Sequence, residues 1–86
     1  MKLAQKFLAA LPFDIPQPEL GIDSDGDDTF DWSDGHWRMM TIALSDHGQI
    51  HYAGRISPSS KRHGMDIFTD TIPLEILACI RWVLGT

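Results

Sequence analysis

The fold is decided by the stretch Thr29–Ile56, TFDWSDGHWRMMTIALSDHGQIHYAGRI. Its first four residues, Thr29–Trp32, alternate polar and apolar side chains, which is typical of a half-buried β-strand. Asp34-Gly35 is a strong two-residue hairpin signal, because both residue types tolerate positive φ. We therefore predict a partner strand over His36–Leu44 and, after a second turn, a third strand over Gln49–Ile56. Strands this close in sequence are expected to pair in order as an antiparallel meander.

A helix is predicted at each end of the chain. Residues 2–11 carry apolar side chains at helical spacing, so they read as one short amphipathic helix. A second aliphatic stripe near the C-terminus predicts a helix that Asp70 or Thr71 caps and that Gly85 ends.

The remaining segments are predicted as connections and one short strand. Prolines favour an extended connection after the first helix, and residues 21–28 form a loop of turn-forming residues. A polar loop over residues 57–64 leads to a fourth short strand over Met65–Thr69. The prediction is thus a single α+β domain over residues 1–86. It has two layers, with a three- to four-stranded antiparallel meander covered on one face by the two terminal helices.

Composition and charge exclude several classes of protein. The 86 residues are 43% apolar and carry a formal charge of −5, as in an ordinary small acidic domain. One cysteine, Cys79, excludes an internal disulfide, and the excess negative charge disfavours direct nucleic-acid binding. The apolar run Phe7–Leu11 is shorter than a secretory signal needs, and no stretch is long enough to span a membrane. We expect a soluble cytoplasmic protein that keeps its N-terminus.

The negative charge is concentrated in one segment. Between Lys6 and Arg38 lie eight carboxylates and no basic residue, whereas the rest of the chain carries about +3. A face of this kind can imitate a phosphate backbone and attract a cationic protein surface. The residues predicted to form this contact surface are Asp23, Asp25, Asp27, Asp28, Asp31 and Asp34.

The same acidic segment also has partial calcium-loop spacing. Asp23 would occupy position 1 of an EF-hand-like loop, but Asp28 stands at position 6, where a glycine is needed. Asp34 stands at position 12, where a longer Glu is preferred. A solvated turn before a strand is the favoured interpretation, and no metal site or cofactor is predicted.

No catalytic constellation is evident. His36, His47, His51 and His63 lack metal-ligand spacing with Cys79, and no nucleophile or phosphate-binding motif is present. The basic group formed by Arg55 with Lys61, Arg62 and His63 is interpreted as solvated, with the last three residues in a loop. We therefore predict no catalytic residue and no enzymatic activity.

Three apolar residues are predicted to contact another protein. The second strand is apolar on both faces, with Trp37 and Met39 on one of them, and two terminal helices can cover only one face of the sheet. Trp82 is offset from the aliphatic stripe of the last helix. Tryptophan and methionine are common at interfaces, so these residues are candidates for partner anchors or for a homodimer seam.

Short segments of the chain resemble a loose group of small bacterial proteins encoded in prophages and other mobile regions. They are Asp23–Trp32, Gly48–Gly54 and Ile72–Leu77. The resemblance implies a stand-alone protein that binds and blocks a host complex, as anti-CRISPR proteins do. It implies no catalytic residue.

The leading hypothesis is a protein-binding inhibitor or adaptor that blocks a basic, nucleic-acid-binding host complex. One alternative is an immunity or antitoxin-type protein that binds its partner through the sheet face. Another is a small metal-dependent hydrolase that uses histidines with the acidic loop.

Overall fold

Alternating apolar and polar residues in the middle of the chain produce a sheet with one buried face, and the two terminal helices cover that face. The computed structural model describes residues 3–35 and 38–85. The elements, in chain order, are helix α1 (Leu3–Ala9), strands β1 (Glu19–Ile22), β2 (Asp28–Ser33), β3 (Met39–Leu44), β4 (Gln49–Ser57) and β5 (Ser60–Ile67), and helix α2 (Leu74–Leu84). The strands form one antiparallel sheet in sequence order. The predicted α+β meander is confirmed, with five strands instead of three or four.

The core lies between the sheet and the helices. Phe30 pairs in register with Ile42, and both are fully buried on the face that the helices cover. Phe7 of α1 stacks on Phe30 with ring centroids 4.7 Å apart and meets the edge of Phe68 at 5.3 Å. Helix α2 packs across β2, β3 and β4 with its buried aliphatic stripe. Both helices therefore lie on one side, and the other side of the sheet carries no covering element among the described residues.

Strand β1 was not expected, because its residues fall in the segment predicted as a connection and a loop. Glu19–Ile22 pairs with Asp28–Asp31 along the edge of the sheet. The extended backbone that Pro16 and Pro18 favour is already close to strand geometry. The Trp32 indole N–H donates a hydrogen bond of 3.0 Å to the Pro16 carbonyl and holds this segment beside β2.

Strand β5 corrects two predictions. Residues 60–64, predicted as part of a polar loop, form the first half of the strand, and the predicted strand over Met65–Thr69 is its second half and ends at Ile67. The segment is polar because β5 is an edge strand and α2 packs mainly on the other strands. Edge strands tolerate charged side chains that a central strand could not bury.

The helix ends and the first turn also differ from the predictions. Helix α1 ends at Ala9, and α2 starts after Pro73 as N-cap, not after Asp70 or Thr71. Gly85 ends α2 as predicted, with φ of 74° and its N–H directed at the last carbonyls. Ser33 pairs with Met39, so the β2–β3 connection is longer than a two-residue turn. His36 and Trp37, predicted to begin the second strand, lie outside the described residues.

Candidate interaction surfaces

The acidic segment forms the hairpin of β1 and β2, and Asp23 orders its turn. One carboxylate oxygen of Asp23 accepts hydrogen bonds from the backbone N–H groups of Asp25 at 2.9 Å and Asp27 at 3.0 Å. The Asp23 N–H in turn donates to the Asp27 carbonyl at 3.0 Å. This is a side-chain-stabilised turn of the kind that Asp favours. The Asp23 carboxylate, predicted as a partner contact, is therefore engaged inside the hairpin.

Two more of the six predicted carboxylates make contacts within the fold. Asp34 accepts a hydrogen bond of 3.0 Å from the Arg38 guanidinium, and its side chain is only 14% exposed. Asp31 accepts a hydrogen bond from the Thr41 hydroxyl on the neighbouring strand. The other three are Asp25, Asp27 and Asp28. None of them forms an ion pair with a residue in the described ranges 3–35 and 38–85.

Exposed apolar side chains lie beside these carboxylates. Leu20 and Ile22 on β1 are 62% and 74% exposed. They share the helix side of the sheet with their register partners Phe30 and Asp28, but α2 packs over the middle strands and leaves β1 uncovered. Strand β1 is also at an edge of the sheet, so its outer backbone groups have no neighbouring strand among the described residues. The hairpin thus combines an apolar pair, carboxylates and an open strand edge.

The sheet has one acidic end and one basic end. In a meander, the β1–β2 and β3–β4 turns lie at the same end, so Asp46 lies at the end that carries the acidic hairpin. The other end carries Arg38 in the β2–β3 connection and the cross-strand neighbours Arg55 and Lys61 beside the β4–β5 turn. Asp34 lies at this second end too and pairs with Arg38, so the positive excess there rests on Arg55 and Lys61. The charge segregation seen in the sequence is therefore kept only in part in space.

The predicted apolar anchors do not form one patch. Met39 is 50% exposed on the side of the sheet opposite the helices. Trp82 is 59% exposed on α2, as its offset from the aliphatic stripe indicates. Trp37 lies outside the described residues. Met39 and Trp82 can therefore serve two different contacts, one on each side of the sheet.

A groove between α2 and β5 has no counterpart in the sequence predictions. It has a volume of about 480 Å³ and forms where α2 does not reach the edge strand. The Tyr52 ring lies close over Gly64, where a side chain would collide with it. Its lining residues are Tyr52, Lys61, Arg62, His63, Glu75, Ala78, Cys79 and Trp82. They come from three separate elements, and no spacing in the sequence brings them together.

The titratable groups of this groove do not form a nucleophilic site. Burial raises the pKa of the Cys79 thiol, and the nearby positive charge of Arg62 opposes this only in part, so the thiol is neutral at pH 7. Asp66 on β5 and Glu75 on α2 are neighbours, and Glu75 in its protonated form donates a hydrogen bond to the Asp66 carboxylate. This contact raises the pKa of Glu75 and lowers that of Asp66. The pair therefore links β5 to α2 only when Glu75 is protonated.

The basic residues near the C-terminal half lie on a strand, which corrects their assignment to a loop. Side chains alternate along β5, so the Lys61 and His63 side chains lie on the side opposite the helices, together with Arg55. Both residues also border the groove, because β5 is the edge of the sheet. Arg62 points to the helix side and lines the groove. The cations are therefore fixed in position by the sheet.

Metal-binding geometry is not found in the described part of the chain. Within residues 3–35 and 38–85, no three His, Cys, Asp or Glu side chains converge in a way that could hold a metal ion. The acidic hairpin carries its carboxylates on a turn and two strands, and Asp23 uses its side chain to bond the backbone.

Comparison with known proteins gives no family for this chain. No family model, curated protein or solved structure matches it. Over the residues that the structure describes, no helix is long and apolar enough to cross a membrane.

Proposed function

We propose that this chain is a cytoplasmic protein-binding inhibitor or adaptor, without catalytic activity, whose β1–β2 hairpin binds a basic, nucleic-acid-binding protein. The proposal is supported by two features that occur together on this hairpin. Leu20 and Ile22 are largely exposed, and Asp25 and Asp28 form no ion pair with a described residue. Exposed apolar side chains beside unpaired charges are typical of a binding surface.

The two parts of this surface have different roles. Carboxylates at the acidic end of the sheet attract a cationic surface over a distance and raise the association rate. Leu20 and Ile22 then supply the apolar contact that slows dissociation, and the open edge of β1 offers backbone groups to an extended segment of the partner. The basic surface of the partner, once bound in this way, is no longer accessible to nucleic acid. The resemblance to small prophage proteins adds that the blocked partner is a host complex.

A second candidate uses the other side of the sheet. Met39 is half exposed there, next to a depression of about 300 Å³ whose floor includes Thr41 and Ala53. An immunity or antitoxin-type protein that binds its partner through this face would form a contact with little dependence on salt. Binding through the acidic hairpin should weaken as salt rises, so the salt dependence of binding distinguishes the two candidates.

The test compares two variants of equal net charge in a pull-down from bacterial lysate. The Asp25→Asn, Asp28→Asn variant removes hairpin carboxylates, and the Asp70→Asn, Glu75→Gln variant removes two exposed carboxylates elsewhere. We expect the unmodified chain and the control variant to capture a nucleic-acid-binding protein at low salt. The hairpin variant should capture at least about tenfold less, and added duplex DNA should displace the partner.

Two results would contradict the proposal. One is equal capture by the hairpin variant and the control variant. The other is a captured protein whose binding neither salt nor DNA weakens. Salt-resistant capture that is lost in a Met39→Ala variant would instead favour the immunity-type candidate.

A further inference from the structure

The side of the sheet opposite the helices has small residues at its centre, the exposed Met39 towards one end of β3, and charges towards its edges. We call it the open face. Across its middle, the register aligns Asp31, Thr41, Ala53 and His63 on consecutive strands. The next row aligns Thr29, Ala43, His51 and Met65.

The charges on the open face are separated by strand. Glu19 on β1 and Asp31 on β2 are acidic, and Glu19 is the register partner of Asp31. On the other side of β3, Arg55 on β4 faces Lys61 on β5. Neither Glu19 nor Lys61 forms an ion pair with another residue in the part of the chain that the structure describes. The face is therefore negative on one side of β3 and positive on the other.

A face with this pattern is complementary to a copy of itself. A twofold axis that lies in the interface and runs along β3 places β1 of one copy over β5 of the other, and β2 over β4. Glu19 then lies over His63 and two residues along the strand from Lys61, and Asp31 lies over Ala53 and two residues from Arg55. Long side chains reach such diagonal neighbours. A twofold axis perpendicular to the strands would instead place acid over acid. Only the first arrangement matches opposite charges, and it also gives the aligned packing common in β-sandwiches.

We propose that two copies of this chain associate through their open faces about a twofold axis along β3. The small side chains of Thr41, Ala43 and Ala53 at the centre allow the two sheets to approach to about 10 Å, the usual spacing of packed sheets. Charged residues then form the rim, which is the common anatomy of a protein interface. This inference goes beyond the proposed function and does not depend on it.

The size of the face indicates a weak dimer. Five strands at about 4.8 Å spacing, each with about 20 Å of facing length, give a footprint of about 500 Å² per copy. The total of about 1,000 Å² is at the lower end of specific interfaces, so we expect a dissociation constant of roughly 1–100 μM. The axis runs along the strands, so both acidic hairpins lie at the same end of the dimer and remain accessible to a partner.

The test is sedimentation of the full chain over a concentration series from about 1 μM to about 1 mM. We expect a monomer–dimer equilibrium whose dissociation constant increases as the salt concentration rises. Glu19→Lys and Lys61→Glu should each weaken the dimer at least about tenfold, because each brings like charges close together across the interface. The double variant with both changes restores opposite charges and should recover dimerisation to within a few-fold of the unmodified chain.

The matched control exchanges one acidic and one basic residue away from the open face. Lys6 and Asp70 form an exposed ion pair of 3.0 Å, so Lys6→Glu with Asp70→Lys keeps that pair and should leave dimerisation unchanged. Ala53→Glu adds a bulky charge at the centre of the open face and should abolish the dimer, while circular dichroism confirms that the chain is folded. A monomer at every concentration would overturn the proposal, and so would a dimer that Lys61→Glu and Ala53→Glu leave intact.

Discussion

Arg81 and Asp14 form a two-point contact between segments that are far apart in the sequence. The Arg81 guanidinium donates hydrogen bonds of 2.8 and 3.2 Å to the two carboxylate oxygens of Asp14. The contact joins the last turns of α2 to the segment that connects α1 with β1. This segment leads to the acidic hairpin, so the pair ties the course of the chain before β1 to the helix layer.

The Arg81–Asp14 contact predicts an acid-dependent loss of stability. The hydrogen bonds from Arg81, with a smaller contribution from its charge, lower the pKa of Asp14 below 3.8. A carboxyl group whose folded pKa is lowered stabilises the fold above its unfolded pKa, and the contribution disappears as pH falls through the folded value. We expect Asp14→Asn to lower the urea midpoint at pH 7 and the difference from the unmodified chain to shrink below pH 3.8. A difference that is equally large in strong acid would show that the contact acts by packing and not by charge.

The sequence predicted the central strands because burial leaves a readable pattern in them. Residues of β2 and β3 alternate between the core and the open face, and so do their side-chain types. Strand β1 is exposed at all four positions, and its alternation of Leu20 and Ile22 with Glu19 and Gly21 is too short to distinguish a strand from a connection. The first half of β5 is polar for the same reason. Edge strands that the helices do not cover are set by pairing with a neighbour, and pairing is not visible in a single segment.

The candidate site was only partly predictable. Charge counting located the acidic hairpin, and helical spacing predicted the exposure of Trp82. Charge counting could not distinguish the carboxylates that bond within the fold from those that do not. Asp23 and Asp34 accept hydrogen bonds, whereas Asp25 and Asp28 lack such partners among the described residues. Hydrogen-bond partners depend on turn geometry and on strand register. The groove lined by Glu75 and Cys79 was missed because its walls come from distant segments.

The carboxyl pair of Glu75 and Asp66 predicts a loss of stability as pH rises, opposite in sign to the loss in acid predicted for Asp14. The hydrogen bond with Asp66 raises the pKa of Glu75 above 4.5, so the folded chain holds this proton more tightly than the unfolded chain. The resulting stabilisation is complete below the unfolded pKa and is lost as pH rises through the folded value. Glu75→Gln keeps a hydrogen-bond donor without a titrating proton. We expect it to remove the decline in the denaturation midpoint above pH 4.5, and an unchanged decline would contradict this assignment.

Gly48 and Gly26 form a matched pair for testing a close backbone contact. Both have φ of 83°, but a β-carbon on Gly48 would lie 2.6 Å from the Phe68 carbonyl oxygen, whereas one on Gly26 would meet nothing within 4 Å. Gly26→Ala should cost only the positive-φ penalty of about 1 kcal/mol. Gly48→Ala should cost about 1–3 kcal/mol more, because a backbone atom must move. The free energy of unfolding in urea measures both, and equal losses would show that the contact with Phe68 relaxes freely.

Trp32 and Trp82 differ in what their indole groups do, and the same substitution should separate them. Trp32 is buried, and its N–H donates to the Pro16 carbonyl just before β1, whereas Trp82 is exposed on α2. Trp32→Phe loses this hydrogen bond and part of the core packing, so we expect it to lower the free energy of unfolding by about 1–3 kcal/mol. Trp82→Phe should change it by less than about 0.5 kcal/mol. Because the lost hydrogen bond holds the segment beside β2, Trp32→Phe should also speed amide hydrogen exchange in Glu19–Ile22 more than in the central strand β3. Uniform acceleration over the whole sheet would mean that Trp32 supports the core without anchoring the edge strand.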